Sequence, residues 1–258
     1  MNVLDSFRLD GKIGIVTGVS SGLGVSFATA LAEAGADLIV CARREDKLKA
    51  NAEGIAKSTG RQVVPVALDV TKESMVARTV KAAEEKFGKV DILINNAGIG
   101  SAKPAVSFTE KEWLSVLNVD LNGTFYCAKE AAKSMIRNKV RGRIINIASI
   151  YGLFGDIIPA VPYYAAKGAV VNMTRALAVE WVQYGIRVNA IAPGFFPSEM
   201  TKGVLEDKST LGYIQGRTPM GRLGDPDELK GAAVYLASDA SSYVTGLVLK
   251  VDGGWSAR

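Results

Sequence analysis

The chain contains no histidine. That excludes histidine-based triads and imidazole-ligated metals, and it leaves proton transfer to tyrosine, lysine or a carboxylate. No metal site is expected. Cysteine is scarce: Cys41 and Cys127 both fall in apolar stretches. No disulfide framework follows from two such residues, and a reducing, cytoplasmic setting is expected. Long apolar runs are missing as well. The most hydrophobic region, residues 144–161, is interrupted by Asn146, Gly152, Gly155, Asp156 and Pro159, which rules it out as a membrane span. The first ten residues carry charge where a signal peptide would need an apolar core, so neither export nor membrane attachment is expected. Charge of one sign is not concentrated either. Lys and Arg number 31 against 26 acidic residues, a net of +5, and the basic groups are dispersed rather than gathered in a stripe with aromatics. Nucleic acid is therefore not an expected partner, whereas an anionic small ligand suits the balance.

What is present is a globular composition, 48% hydrophobic and 22% charged, over 258 residues, enough to bury a substantial core. Apolar runs at 12–17, 37–42, 63–68, 90–94, 143–148, 186–191 and 247–251 read as strands. Between them lie helical patterns ending near Gly35, over 45–58 and to Phe87, with Thr71 as the cap of the last. Further patterns cover 109–138 without interruption, 162–184 and 226–238. Strands alternating with helices predict a doubly wound α/β fold with a parallel seven-stranded sheet in a single domain spanning 1–258. In such folds ligands sit at the carboxyl ends of the strands. Several unusual motifs fall there: Gly18-x-x-x-Gly22-x-Gly24, Ala42-Arg43-Arg44, Asp69-Val70, Asn95-Asn96-Ala97-Gly98, Ser149 and Pro193-Gly194. Glycines at a strand-to-helix turn let the backbone approach a pyrophosphate at the helix N-terminus.

Tyr163 and Lys167 stand four apart in the 162–184 pattern, so phenol and ammonium share a helix face while Tyr164 points roughly 100° away. A fixed ammonium favours phenolate. The spacing therefore predicts that the Tyr163 phenol is pulled below its ordinary pKa of about 10, where it can act as a general acid or base.

Taken in order, Thr17-Gly18-x-x-x-Gly22-x-Gly24, Asp69, Asn95 to Gly98, Ser149, Tyr163-x-x-x-Lys167 and Pro193-Gly194 resemble the short-chain dehydrogenase/reductase family across essentially the whole chain. The resemblance implies a Rossmann-type fold and an NADP- or NAD-dependent oxidoreductase acting on a carbonyl or secondary alcohol. It implies that Gly18, Gly22 and Gly24, with Thr17, Ser20, Ser21 and Leu23, cradle the pyrophosphate. Asp69 and Val70 would hold the adenine, and Asn95, Ala97 and Gly98 would line the ribose and brace the sheet centre. Pro193, Gly194, Phe196 and Ser198 would meet the nicotinamide side. Ser149 would hydrogen-bond the substrate oxygen, Tyr163 would exchange its proton, and Lys167 would lower the Tyr163 pKa and hold the ribose. One position departs from the pattern. Aligning on Gly123-Thr124-Phe125 puts Asp120 where the family usually has a catalytic Asn. Asp120 keeps the main-chain role and adds a carboxylate, so activity is expected to survive with an altered proton relay.

At the end of the second strand an acidic residue would select NAD through the ribose 2′-hydroxyl. Arg43 and Arg44 stand there instead, and a guanidinium pairs bidentately with phosphate, so NADP is expected, Arg43 being the stronger candidate. Residues 198–223 resemble the family's mobile substrate loop. From Arg217 to Trp255 the chain is most similar to gluconate 5-dehydrogenases and related keto-sugar reductases, with 3-oxoacyl-thioester or general carbonyl reductases as the alternative. Arg217 or Arg222 is either a partner for a substrate carboxylate or a structural cation. A dinucleotide-binding regulator without turnover is the non-enzymatic alternative. The family usually forms homotetramers through the 109–138 and 162–184 helices.

Overall fold

Runs rich in Val, Ile and Leu become strands when both faces of the sheet they join are covered. The computed structural model describes residues 2–257; Met1 and Arg258, the ends of the expected 1–258 span, lie outside the described residues. In chain order the elements are β1 (Ile13–Thr17), α1 (Leu23–Glu33), β2 (Asp37–Ala42), α2 (Glu45–Thr59), β3 (Val63–Ala67), α3 (Glu73–Phe87) and β4 (Ile92–Asn95). There follow α4 (Glu110–Leu117), a π-helical segment (Asn118–Gly123), α5 (Thr124–Arg137), β5 (Arg143–Ile147), α6 (Val161–Trp181) and β6 (Arg187–Pro193). The chain ends with α7 (Lys202–Glu206), α8 (Lys208–Arg217), α9 (Lys230–Ala237) and β7 (Val248–Val251).

The strands form one seven-stranded, all-parallel sheet in the order β3-β2-β1-β4-β5-β6-β7. Alternate side chains face opposite layers. Val16, Leu38, Val40, Ile94 and Ile145 pack beneath α1, α2 and α9. Ile15, Ile39, Leu93, Ile144 and Val188 pack beneath α3, α5 and α6. Burying each such side chain stabilises by ~1.5–3 kcal/mol, which is why the central strands tolerate no polar residue without a built partner. Pro65, which can donate no ladder hydrogen bond, stands on the edge strand β3.

Three expectations need correction. The uninterrupted helix over 109–138 is divided: after α4, capped reciprocally by Thr109 and Glu112, one wide turn intervenes before α5. Asn118, Asp120, Asn122 and Gly123 are poor helix formers, and the wide turn carries Asp120 inward to complete burial. Thr71 does not cap α3, since its hydroxyl and amide both donate to Asp69 Oδ1, at 2.8 and 3.0 Å, and Lys72 holds the cap position. Within 198–223, where no helix was expected, two helices form, α7 and α8, α8 being capped by Asp207 accepting from the Thr210 amide at 2.7 Å.

Candidate active site

The order of the sheet reverses between β1 and β4, so a crevice opens where the connections leave β1 and β4 toward opposite sides. There Thr17 Oγ1 accepts from the amides of Asn96 and Ala97, both at 3.0 Å, and Asn96 Nδ2 donates to the Thr17 carbonyl at 3.0 Å. These bonds lock the glycine loop to the end of β4. The resulting cleft encloses about 600 Å3, within the ~300–1,000 Å3 usual for ligand sites.

Every residue expected at the site lines this cleft except Gly24, Asn95 and Asp120. Gly24 sits behind the loop, where a Cβ would collide with the Gly18 carbonyl oxygen, so its contribution is the close packing of α1. Asn95 is buried and donates to Asn146 Oδ1 at 2.9 Å and to the Thr124 carbonyl at 3.2 Å. Asn146 in turn donates to Thr174 Oγ1 at 3.0 Å. This polar thread ties β4 and β5 to α6, the helix that carries Tyr163 and Lys167. Asn96, Ile99, Gly100, Val119, Glu199, Met200 and Thr201 also line the cleft. Of these, Asn96 lies inside a motif and Glu199, Met200 and Thr201 inside the 198–223 stretch; Ile99, Gly100 and Val119 carry no signature and reach the cleft through tertiary folding alone.

Arg44 is set on the glycine loop, its Nη2 donating to Ser20 Oγ and Ser21 Oγ, both at 2.8 Å. Arg43 lines the cleft and makes no ion pair or side-chain hydrogen bond among the described residues. Asp69 Oδ1 is taken by Thr71, which fixes the carboxylate at the end of β3. A dinucleotide fits these residues: narrow glycine backbone at one end, an unpaired guanidinium beside it, and small residues along the floor. Arg222 is committed to Glu228 through paired contacts of 2.7 Å, and Arg217 lies 3.5 Å from Asp156 and over the Trp255 ring at 5.0 Å. Neither lines the cleft.

Ser149 lies two residues beyond β5 and caps the short turn 150–152, its Oγ accepting from the Tyr151 amide at 3.1 Å. The acceptor role leaves the hydroxyl proton available, and Ser149 and Tyr163 line the same cleft. Tyr164 faces away, stacked on Tyr151 with ring centres 4.3 Å apart and its hydroxyl donating to the Ile158 carbonyl at 3.1 Å. Lys167 is buried, donating to the Ile147 carbonyl at 2.9 Å, and its Nζ lies 5.4 Å from the centre of the Tyr163 ring. Behind it stands Asp120. One carboxylate oxygen accepts from the Ile99 amide at 2.8 Å, and the other lies 3.2 Å from Lys167 Nζ as an ion pair without hydrogen-bond alignment. Gly98 makes room for it, since a Cβ there would lie 2.9 Å from Asp120 Oδ2.

Lys167 does pull the Tyr163 phenol down, as expected, but the expected net lowering needs correction. Burial pushes it up; Lys167 and Ser149 act downward, Asp120 acts upward, and the phenol ends above its ordinary value. Burial likewise raises the Asp120 carboxyl against the pull of Lys167 and the Ile99 amide. Burial opposes the charge on Lys167, but Asp120 and Tyr163 outweigh it and hold the ammonium above the usual lysine value. A phenol that shares a cleft with a serine hydroxyl and is backed by an ammonium can exchange a proton with an oxygen placed between them.

Residues 18–256 match a family model described as enoyl-(acyl carrier protein) reductase. The chain is 42% identical to the 2-dehydro-3-deoxy-D-gluconate 5-dehydrogenase of Dickeya dadantii, covering 99% of this chain and 100% of that one. It is 39% identical to the gluconate 5-dehydrogenase of Gluconobacter oxydans over 97% and 96% of the two chains. The crystal structure of a gluconate 5-dehydrogenase from Burkholderia cenocepacia, in complex with NADP and tartrate, superposes with a TM-score of 0.95 at 37% identity, covering 100% of both chains. The chain belongs to the short-chain dehydrogenase/reductase family and is an oxidoreductase.

Proposed function

We propose that this chain is an NADP-dependent reductase and dehydrogenase interconverting a keto-sugar acid and the corresponding hydroxy acid. The observation that carries it is the meeting of the Ser149 hydroxyl, the Tyr163 phenol and the buried Lys167 ammonium in one cleft with the unpaired Arg43. The relatives named for gluconate and dehydro-deoxy-gluconate support the substrate class, and the neighbour solved with NADP supports the cofactor. When bound, the nicotinamide supplies or accepts the hydride. Arg43 and Arg44 hold the 2′-phosphate, and the glycine loop holds the pyrophosphate. Ser149 donates a hydrogen bond to the substrate oxygen, which orients it toward Tyr163. Tyr163 gives its proton to that oxygen in reduction and takes it back in oxidation. Lys167 stabilises the phenolate that remains, and Asp120 with the Ile147 carbonyl fixes Lys167 in place.

The chain works as one domain, with 198–223 closing over substrate. A homotetramer through α4, α5 and α6 suits the apolar residues exposed on them, among them Phe125, Val179 and, just beyond α6, Val182. Two unpaired, buried thiols suit the cytoplasm, and among the described residues no helix is long and apolar enough to cross a membrane.

The test follows nicotinamide absorbance with NADPH and NADH against keto-aldonates, ketoses, acetoacetyl thioesters and simple ketones. Fastest turnover is expected with NADPH and a keto-aldonate; preferred turnover of the thioester would replace the substrate assignment. On the best substrate, Tyr163→Phe is expected to lose roughly 10²–10⁴-fold in turnover while still binding NADPH, and Tyr164→Phe is not.

A further inference from the structure

The second β-strand ends without an acidic residue, yet the fold delivers one to that place from 155 positions further on, counting from Arg44 to Glu199. Glu199 follows β6 and projects onto the adenosine end of the cleft. Its Oε2 accepts from Ser21 Oγ at 3.0 Å and pairs with Arg44 Nη1 at 2.6 Å, while its Oε1 accepts from Lys47 Nζ at 2.7 Å. The flanking residues seat it there. A Cβ on Gly22 would lie 3.2 Å from Ser198 Cβ, and one on Gly100 would lie 3.4 Å from Met200 Cγ, so three successive residues bridge both lips of the cleft. Thr201 Oγ1 donates to the Phe196 carbonyl at 2.8 Å and accepts from the Ser198 amide at 2.9 Å, which fixes the turn that turns Glu199 outward.

We propose that Glu199 is a specificity-determining residue for the cofactor, a carboxylate that occupies the Arg44–Lys47–Ser21 cradle and competes there with the 2′-phosphate of NADP. The proposal rests on the NADP reading above. A phosphate monoester carries nearly two negative charges and pairs with a guanidinium through parallel hydrogen bonds, as the carboxylate already does. The two anions repel and cannot share the cradle. The carboxylate is held down to about 2, first by Lys47, then by Arg44 and Ser21, so it is ionised at any working pH. The pairs are nevertheless half-exposed, and such contacts exchange readily. With NAD the situation reverses: a carboxylate beside the ribose is a hydrogen-bond acceptor for the 2′-hydroxyl. Glu199 thus penalises NADP, Arg43 and Arg44 favour it, and the balance between them sets the preference.

The experiment is equilibrium binding, by calorimetry or nicotinamide fluorescence, of NADPH, NADH, adenosine 2′,5′-bisphosphate and adenosine 5′-phosphate to wild type, Glu199→Gln and Arg43→Ala. Glu199→Gln is expected to tighten NADPH and the bisphosphate by roughly three- to tenfold, with NADH and the monophosphate unchanged or weakened. In an Arg44→Gln background most of that gain should vanish. Equal tightening of both cofactors, unchanged NADPH binding, or a gain that persists in full without Arg44 would overturn the proposal. The NADP reading is judged separately, on whether Arg43→Ala weakens the bisphosphate; the Glu199 result is read from the NADPH-to-NADH ratio whatever that outcome.

Discussion

Asp120 gives the proton-transfer centre a negative charge where a neutral amide is usual for the family. Its carboxylate lies 3.2 Å from the Lys167 ammonium, so the field that Tyr163 experiences is that of an ion pair rather than a lone cation. Asp120 pushes the phenol up and Lys167 pulls it down. In alcohol oxidation Tyr163 must act as phenolate, so a phenol held high confines oxidation to more alkaline solution. Asp120→Asn removes the upward push and leaves the downward one. The acidic limb of the oxidation pH–rate profile is therefore expected to move to lower pH. Lys167 also loses the partner that holds its own value up, so its titration moves down as well and trims the alkaline limb. Profiles of kcat and kcat/KM for the two proteins check this; superimposable curves would show that only the main chain at 120 matters. The substitution itself was legible in the sequence. Its consequence was not, because the sign at Tyr163 depends on burial and on the 3.2 Å contact, neither of which spacing reports.

At the scale of elements, periodicity located the seven strands to within a few residues, because covered parallel strands are continuous apolar runs bounded by turns. It failed where local geometry departs from 3.6 residues per turn. The π segment at 118–123 shifts the face of the long helix, so that Val116 and Asp120 are buried while Trp113, Leu117 and Leu121 are only partly so. Helices α7 and α8 escaped because Lys208–Arg217 carries two glycines and few apolar residues; Ile214 packs against Ile150 and Trp255 instead. What registers the elements against each other is polar. Asn146, fully buried on β5, accepts from Asn95 and donates to Thr174, so β4, β5 and α6 are pinned together beneath Tyr163 and Lys167. Asn146→Ala removes both bonds, takes one acceptor from the buried Asn95 amide and the donor from Thr174 Oγ1, and opens a cavity. A loss of about 2–4 kcal/mol is expected in urea unfolding, with kcat falling because α6 loses its register. A loss under ~0.5 kcal/mol would mean that packing alone sets the helix.

For the whole molecule, the strand order places the ends of β1 and β4 together, and this is why motifs scattered from Thr17 to Ser198 meet in one cleft. Their order along the chain was enough to assemble the glycine loop, Ser149, Tyr163 and Lys167 from sequence. It could not assemble Glu199 with Ser21, 178 residues apart and joined only by the folded path of the chain. The same closure governs the two thiols. Cys41 lies on β2 at the cleft floor and Cys127 on α5; both are buried in the layer between the sheet and α3, α5 and α6. Burial pushes the Cys127 thiol up to about 12 and raises Cys41 well above its ordinary value. Thiolate is the reactive form, so both are inert until the layer opens. An aromatic disulfide reagent at about pH 8 is therefore expected to find no rapidly reacting thiol in the native protein and two in denaturant. Slow native reaction should proceed at the opening rate of this layer, and NADPH should slow it by stabilising the closed form. Rapid stoichiometric labelling of the folded protein would show instead that the floor of the cleft opens independently of the core.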